Sequence, residues 1–81
     1  MPFFVYILKS ESTGNSYVGH TSNLEKRLNE HNNGRTPSTR NKKPWKLVYK
    51  EEFPNRSQAV RRETYFKSIK GRMELKEKGI L

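Results

Sequence analysis

Phe3-Phe4-Val5-Tyr6-Ile7-Leu8, Glu11-Ser12-Thr13-Gly14-Asn15 and Ser16-Tyr17-Val18-Gly19-His20 follow one another near the start of the chain. The first segment is an unbroken apolar and aromatic run. It is too short for a typical helix and rich in strand formers, so it reads as a buried strand. The second is a turn signal, with Gly14 and Asn15 able to take positive φ. The third is a second strand, and the two strands should pair as an antiparallel hairpin. In a register whose facing numbers have an odd sum, as for Lys9 opposite Ser16, Tyr6, Tyr17 and Gly19 share one face. Gly19 then leaves room beside two phenols.

Downstream, Ser22 and Glu25 form a capping-box pattern, and Leu24 and Leu28 supply an i,i+4 apolar pair for a first helix. Asn32-Asn33-Gly34 ends it, with Gly34 suited to the left-handed position after the cap. Arg35 to Pro44 has no hydrophobic residue and reads as a loop. In Trp45 to Phe53, Trp45, Leu47 and Tyr49 alternate with charged and other residues, which predicts a third strand with one covered face. Asn55 and Gln58 resemble another cap, and a second helix is expected from Arg56 to Ile69, stopping before Gly71. The tail from Arg72 to Leu81 reads as a short, frayed helical extension, with Met73, Ile80 and Leu81 as packing anchors. The expectation is a single α+β domain over residues 1–81, in the order β-β-α-β-α: a three-stranded antiparallel sheet flanked by helices.

With 81 residues, 31% of them hydrophobic, the core must be small. The absence of cysteine excludes disulfides, thiolate zinc sites and a cysteine nucleophile. No apolar stretch is long enough for a bilayer span or a signal-peptide core, so a cytoplasmic location is expected, on the nucleoid if the source is bacterial. Seventeen Lys and Arg against eight acidic residues give a formal net charge of +9. Such an excess favours polyanions, because each neutralised phosphate releases condensed counterions. Arg35, Arg40, Lys42, Lys43 and Lys46 are the expected nucleic-acid contacts, since no acidic residue occurs from Arg35 to Lys50. Trp45 interrupts that run as a core residue.

Three further positions bear on chemistry. Arg27 and His31 are spaced i,i+4 and project from one helix face, and a guanidinium offers a planar fork of donors for phosphate oxygens. Glu63 falls inside the arc formed by Ala59, Val60, Phe66 and Ile69. A carboxylate there requires a partner: either one of the many basic neighbours or a metal.

The ordered set resembles the GIY-YIG endonuclease family, in its small standalone form. Phe4-Val5-Tyr6 matches the first motif and Tyr17-Val18-Gly19 the second, with ten residues between the tyrosines. Arg27, His31 and Glu63 match its downstream arginine, histidine and glutamate. Phe4 and Val5 replace the first motif's glycine and isoleucine. The resemblance implies a metal-dependent endonuclease hydrolysing DNA phosphodiester bonds, with selectivity for DNA structure in repair or recombination as the expected use. Tyr6 would take a proton from water, assisted by Tyr17 or His20. Arg27 would stabilise charge on the phosphate, His31 would orient phosphate or a tyrosine, and Glu63 would hold Mg²⁺ or Mn²⁺. The alternative is a nucleic-acid-binding module that keeps the fold with little or no cleavage. A third reading is a basic RNA-binding accessory protein whose tyrosines are core. DNA is the expected partner ahead of RNA, no membrane is involved, and a homodimer or partner protein is expected to add affinity.

Overall fold

The computed structural model describes residues 1–81. Its strands are β1 (Phe3–Ser10), β2 (Ser16–Thr21) and β3 (Trp45–Phe53). Its α-helices are α1 (Leu24–Asn32), α2 (Arg56–Lys67) and α3 (Ile69–Glu77), with a single 3₁₀ turn at Arg40–Lys42 inside the loop before β3. The sheet is antiparallel, in the order β2-β1-β3. This is the three-stranded antiparallel arrangement with flanking helices read from the sequence.

The central position of β1 explains its unbroken apolar run, because helices cover both faces. Val5 and Ile7 join Val18, Ala59, Phe66 and Leu75 in a core beneath α2 and α3. Tyr6 and Leu8 point the other way, with Trp45, Tyr17, Leu24, Leu28 and Leu47, beneath α1. The hairpin register is the expected one: Lys9 faces Ser16 and Tyr6 faces Gly19.

Strand β3 departs from simple alternation. Ile7 faces Tyr49 while Leu8 faces Leu47, so Val48 is an extra residue on β3. Such a bulge reverses which side the later residues occupy. Trp45 and Leu47 lie under α1, whereas Tyr49 packs on the opposite face, edge-on to Phe66 at 6.0 Å. The single covered face expected for Trp45, Leu47 and Tyr49 is therefore corrected.

The helix ends show which local signals prevail. Thr21 Oγ1 accepts the Asn23 N–H, and Asn23, in extended backbone, caps α1 by accepting the Lys26 N–H at 3.1 Å. The cap is thus one residue later than the Ser22–Glu25 pattern indicates. Gly34 takes φ +74 and closes α1 as expected. Asn55 caps α2 from the Gln58 N–H, also as expected. Ser68 sits in extended backbone, ends α2 at Lys67, and caps α3 by accepting the Gly71 N–H. The tail is a helix docked through buried Gly71 and Leu75, and Ile80 and Leu81 pack against the same core. Ile69 and Met73, read as core and anchor, are 82% and 57% exposed. No helix is long and apolar enough to cross a membrane.

Candidate nucleic-acid interface

Beneath α1, the structure joins Tyr6, Tyr17, Arg27 and His31. The close approach that Gly19 permits is real: a Cβ there would lie 2.6 Å from the Tyr6 hydroxyl and 3.0 Å from the Tyr17 ring. Tyr6 is buried, its hydroxyl 3.0 Å from His31 Nε2, and Arg27 Nε–H donates to that hydroxyl at 3.4 Å. The Tyr17 ring packs edge-on to His31 at 4.8 Å. Arg27 also donates to Glu30 at 3.1 Å.

These contacts fix where the protons reside. Thr39 donates its hydroxyl hydrogen to the Thr36 carbonyl, so toward His31 Nδ1, 2.8 Å away, Thr39 can only accept. His31 therefore carries its hydrogen on Nδ1, and Nε2 accepts from Tyr6. Burial, then the Arg27 charge, depresses the His31 pKa to about 4 and keeps the ring neutral. Burial also lifts Tyr6 to about 12, against the opposing effect of Arg27. Tyr6 is thus a neutral phenol donating to a neutral imidazole.

The same chain of bonds reaches the basic loop. The Trp45 indole N–H donates to the Thr39 carbonyl at 2.8 Å. Asn32 bridges α1 to β3, accepting the Trp45 N–H at 2.6 Å and donating to the Trp45 carbonyl at 3.1 Å. Thr39 and Trp45 are buried, whereas Arg35, Arg40, Lys43 and Lys46 are exposed and Lys42 is half-buried. None of these five cations forms an ion pair. The loop is pinned from below and charged above.

His20 of β2 and Glu63 of α2 make no hydrogen bond to this group, although the Glu63 charge acts on the Tyr6 hydroxyl and adds to the burial-driven rise in its pKa. A carboxylate accepts only, so His20 Nδ1–H donates to Glu63 Oε1 at 2.7 Å, and Lys67 donates to Oε2 at 2.9 Å. Partial burial pushes the Glu63 pKa up, but the Lys67 and His20 hydrogen bonds outweigh it and hold the carboxyl below its ordinary value. Both oxygens are thereby engaged by protein donors, and nowhere do three His, Asp or Glu side chains gather as a metal-holding group.

Residues 2–76 match the family model described as the GIY-YIG catalytic domain. The chain belongs to the GIY-YIG family. Among GIY-YIG relatives, it is 48% identical over 67 residues to the UPF0213 protein CPE1444 of Clostridium perfringens, covering 82% of this chain and 71% of that protein. It is 40% identical over 68 residues to the UPF0213 protein SAG0778 of Streptococcus agalactiae, covering 83% and 76% respectively. The solution NMR structure of the UPF0213 protein BH0048 from Bacillus halodurans superposes with a TM-score of 0.58 at 31% identity, covering 95% of this chain and 84% of that one.

These findings correct the reading of a metal-dependent DNA endonuclease, with its repair and hydrolase associations. The relatives bear a name that assigns no activity, and this GIY-YIG domain has no cluster of metal-ligating side chains. The physical reasons lie in the contacts above. Each Glu63 oxygen accepts a hydrogen bond, from His20 and from Lys67, and the Tyr6 hydroxyl is buried against His31 with its proton tightly held. The sequence reading grouped Tyr6, Tyr17, His20, Arg27, His31 and Glu63 in one site; the structure brings Tyr6, Tyr17, Arg27 and His31 together and hydrogen-bonds His20 to Glu63 instead of to the tyrosines. The sequence reading missed Thr39, which carries no distinguishing signal inside a polar loop. Glu30 and Lys67 were within reach, at i,i+3 from Arg27 and i,i+4 from Glu63.

Proposed function

We propose that this chain is a nucleic-acid-binding module that uses the GIY-YIG fold without cutting phosphodiester bonds. The observation that carries this reading is the set of exposed or half-exposed cations from Arg35 to Lys46, held on a pinned loop with no carboxylate paired to them. Cations fixed in place before binding lose less side-chain and loop freedom on contact with phosphate. The tyrosine–histidine network then has a task that needs no metal: it ties β1 and α1 to the loop that meets the ligand. DNA is the expected ligand, and binding requires no divalent ion.

The test is fluorescence anisotropy with labelled duplex, single-stranded and branched DNA and duplex RNA, under matched salt and with or without Mg²⁺ or Mn²⁺. The parent should bind, with affinity falling as salt rises and the strands left intact. The triple variant R35Q/R40Q/K43Q should flatten the slope of log K against log salt by about 2 to 3 on duplex DNA. Absence of binding to every probe, or an unchanged slope in the triple variant, refutes the proposal.

A further inference from the structure

A second basic surface lies on the other side of the hairpin turn. The turn around Gly14 and α3 enclose a cleft of about 330 Å³ lined by Lys9, Lys42, Arg72 and Lys76, with Leu81 as its apolar member. Lys9 points to the α2–α3 side of β1, opposite Tyr6. Arg72 and Lys76 stand on α3 at i,i+4, where like charges destabilise a helix. Lys42 is brought in from the loop, because its carbonyl accepts hydrogen bonds from Ser10 and Ser12 of the hairpin.

The carboxylates do not answer this cluster. Glu30, Glu51, Glu63 and Glu74 pair with Arg27, Arg62, Lys67 and Lys78, and none reaches a cation of the cleft. An adjoining depression shares Lys9 and Gly14 and adds Lys46, along with Glu11 as its one acid. Gly14 lies at the seam between the two depressions, at φ +77 with open space above its Cα, so nothing there blocks a backbone crossing from one to the other. From Arg72 to Lys76 the helix rises about 6 Å, which is nearly two 3.4 Å nucleotide rises along one strand.

We infer that this cleft is a second phosphate-backbone site, through which a nucleic acid strand held by the loop continues over the hairpin turn to α3. Lys42 joins the two surfaces. The inference rests on the binding-module reading and extends it, naming contacts on α3 and β1 that lie outside the loop. It assigns no base readout to the cleft, because the lining charges meet phosphate rather than base edges.

Two variants of equal net charge test it. R72Q/K76Q removes two cleft cations, and K70E changes the charge by the same amount from another side of α3, about 160° from Arg72 and 120° from Lys76. On duplex DNA, R72Q/K76Q should reduce the salt slope by about 1.8 and weaken binding on the order of 50-fold at 0.1 M salt. K70E should leave the slope near the parent's, and R72K/K76R should retain binding. Circular dichroism should match throughout, since Arg72 and Lys76 are exposed. A parent-like slope in R72Q/K76Q, with loss in R35Q/R40Q/K43Q, overturns the cleft and leaves the module reading standing. Equal losses in K70E and R72Q/K76Q overturn a local site in favour of a diffuse field. A parent that binds no nucleic acid overturns both readings.

Discussion

His31 shows how a single buried titratable group links the site to stability. Its pKa is about 4 in the fold, against an ordinary value of 6.5. Between these values the unfolded chain binds a proton that the folded chain does not, so stability rises with pH across this window. As pH falls from 6.5 toward 4, His31 removes stability at up to about 1.4 kcal/mol per unit. The lowered carboxyls of Glu51, Glu63 and Glu74 act later, losing their contribution as pH falls below the ordinary carboxylate range. Melting temperatures at pH 7, 6 and 5 should therefore decline, and the His31 ring followed by NMR should titrate near 4. Titration near 6.5 would contradict the buried, neutral assignment. At Gly19 the prediction is steric. A methyl group cannot fit 2.6 Å from the Tyr6 oxygen, so Gly19→Ala should destabilise the fold by about 1 to 3 kcal/mol in urea titration. A neutral result would mean that the Tyr6 ring can move aside freely.

Among the elements, those whose instructions are local were the most legible. The hairpin turn lies between Ser10 and Ser16, and with Lys9 opposite Ser16, as the sequence reading supposed, the period-two geometry of strands puts Tyr6, Tyr17 and Gly19 on one face. The Asn55 cap and the Gly34 stop were likewise read from side chains acting on their own helix. What escaped depended on partners distant in sequence. The bulge at Val48 is invisible to alternation because both register choices leave apolar residues covered. Helix α3 carries Ile69 and Met73 outward and docks through Gly71, a residue that reads as a stop signal. A Cβ at Gly71 would lie 2.0 Å from the Tyr65 carbonyl oxygen, which is backbone and cannot step aside. Gly71→Ala should therefore cost about 3 kcal/mol or more, comparable to Leu75→Ala at about 2 to 5 kcal/mol. Equal urea midpoints for Gly71→Ala and the parent would show that α3 is not packed as described. The loop offers the complementary case, since its order comes from Thr39 rather than from charge. Thr39→Val leaves His31 Nδ1–H without its acceptor while keeping every cation. It should weaken nucleic-acid binding several-fold at an unchanged salt slope, whereas full affinity would detach the tyrosine–histidine network from the binding role.

The whole molecule is a thin slab, with extents of 30 × 29 × 17 Å. Only 14 of its 81 residues are buried, so its stability margin is small and ligand binding is a large perturbation. A formal charge of +9 on such a body opposes compaction through self-repulsion, most strongly where the loop and the α3 cleft crowd cations around the hairpin turn. A polyanion that binds only the folded arrangement relieves that repulsion and also stabilises by mass action, by about 2.7 kcal/mol at a hundredfold excess over Kd. In a domain of this size that corresponds to a rise in Tm on the order of 10 °C. Duplex DNA at low salt should produce such a rise, and 0.5 M salt should abolish it by restoring the counterions that binding releases. Because the fold holds Glu63 with His20 and Lys67, added Mg²⁺ should not enlarge the shift, and the recovered duplex should be full length. A shift of the same size at both salt concentrations would point to a ligand contact that is not electrostatic, and would remove the basis for reading the two charged surfaces as phosphate sites.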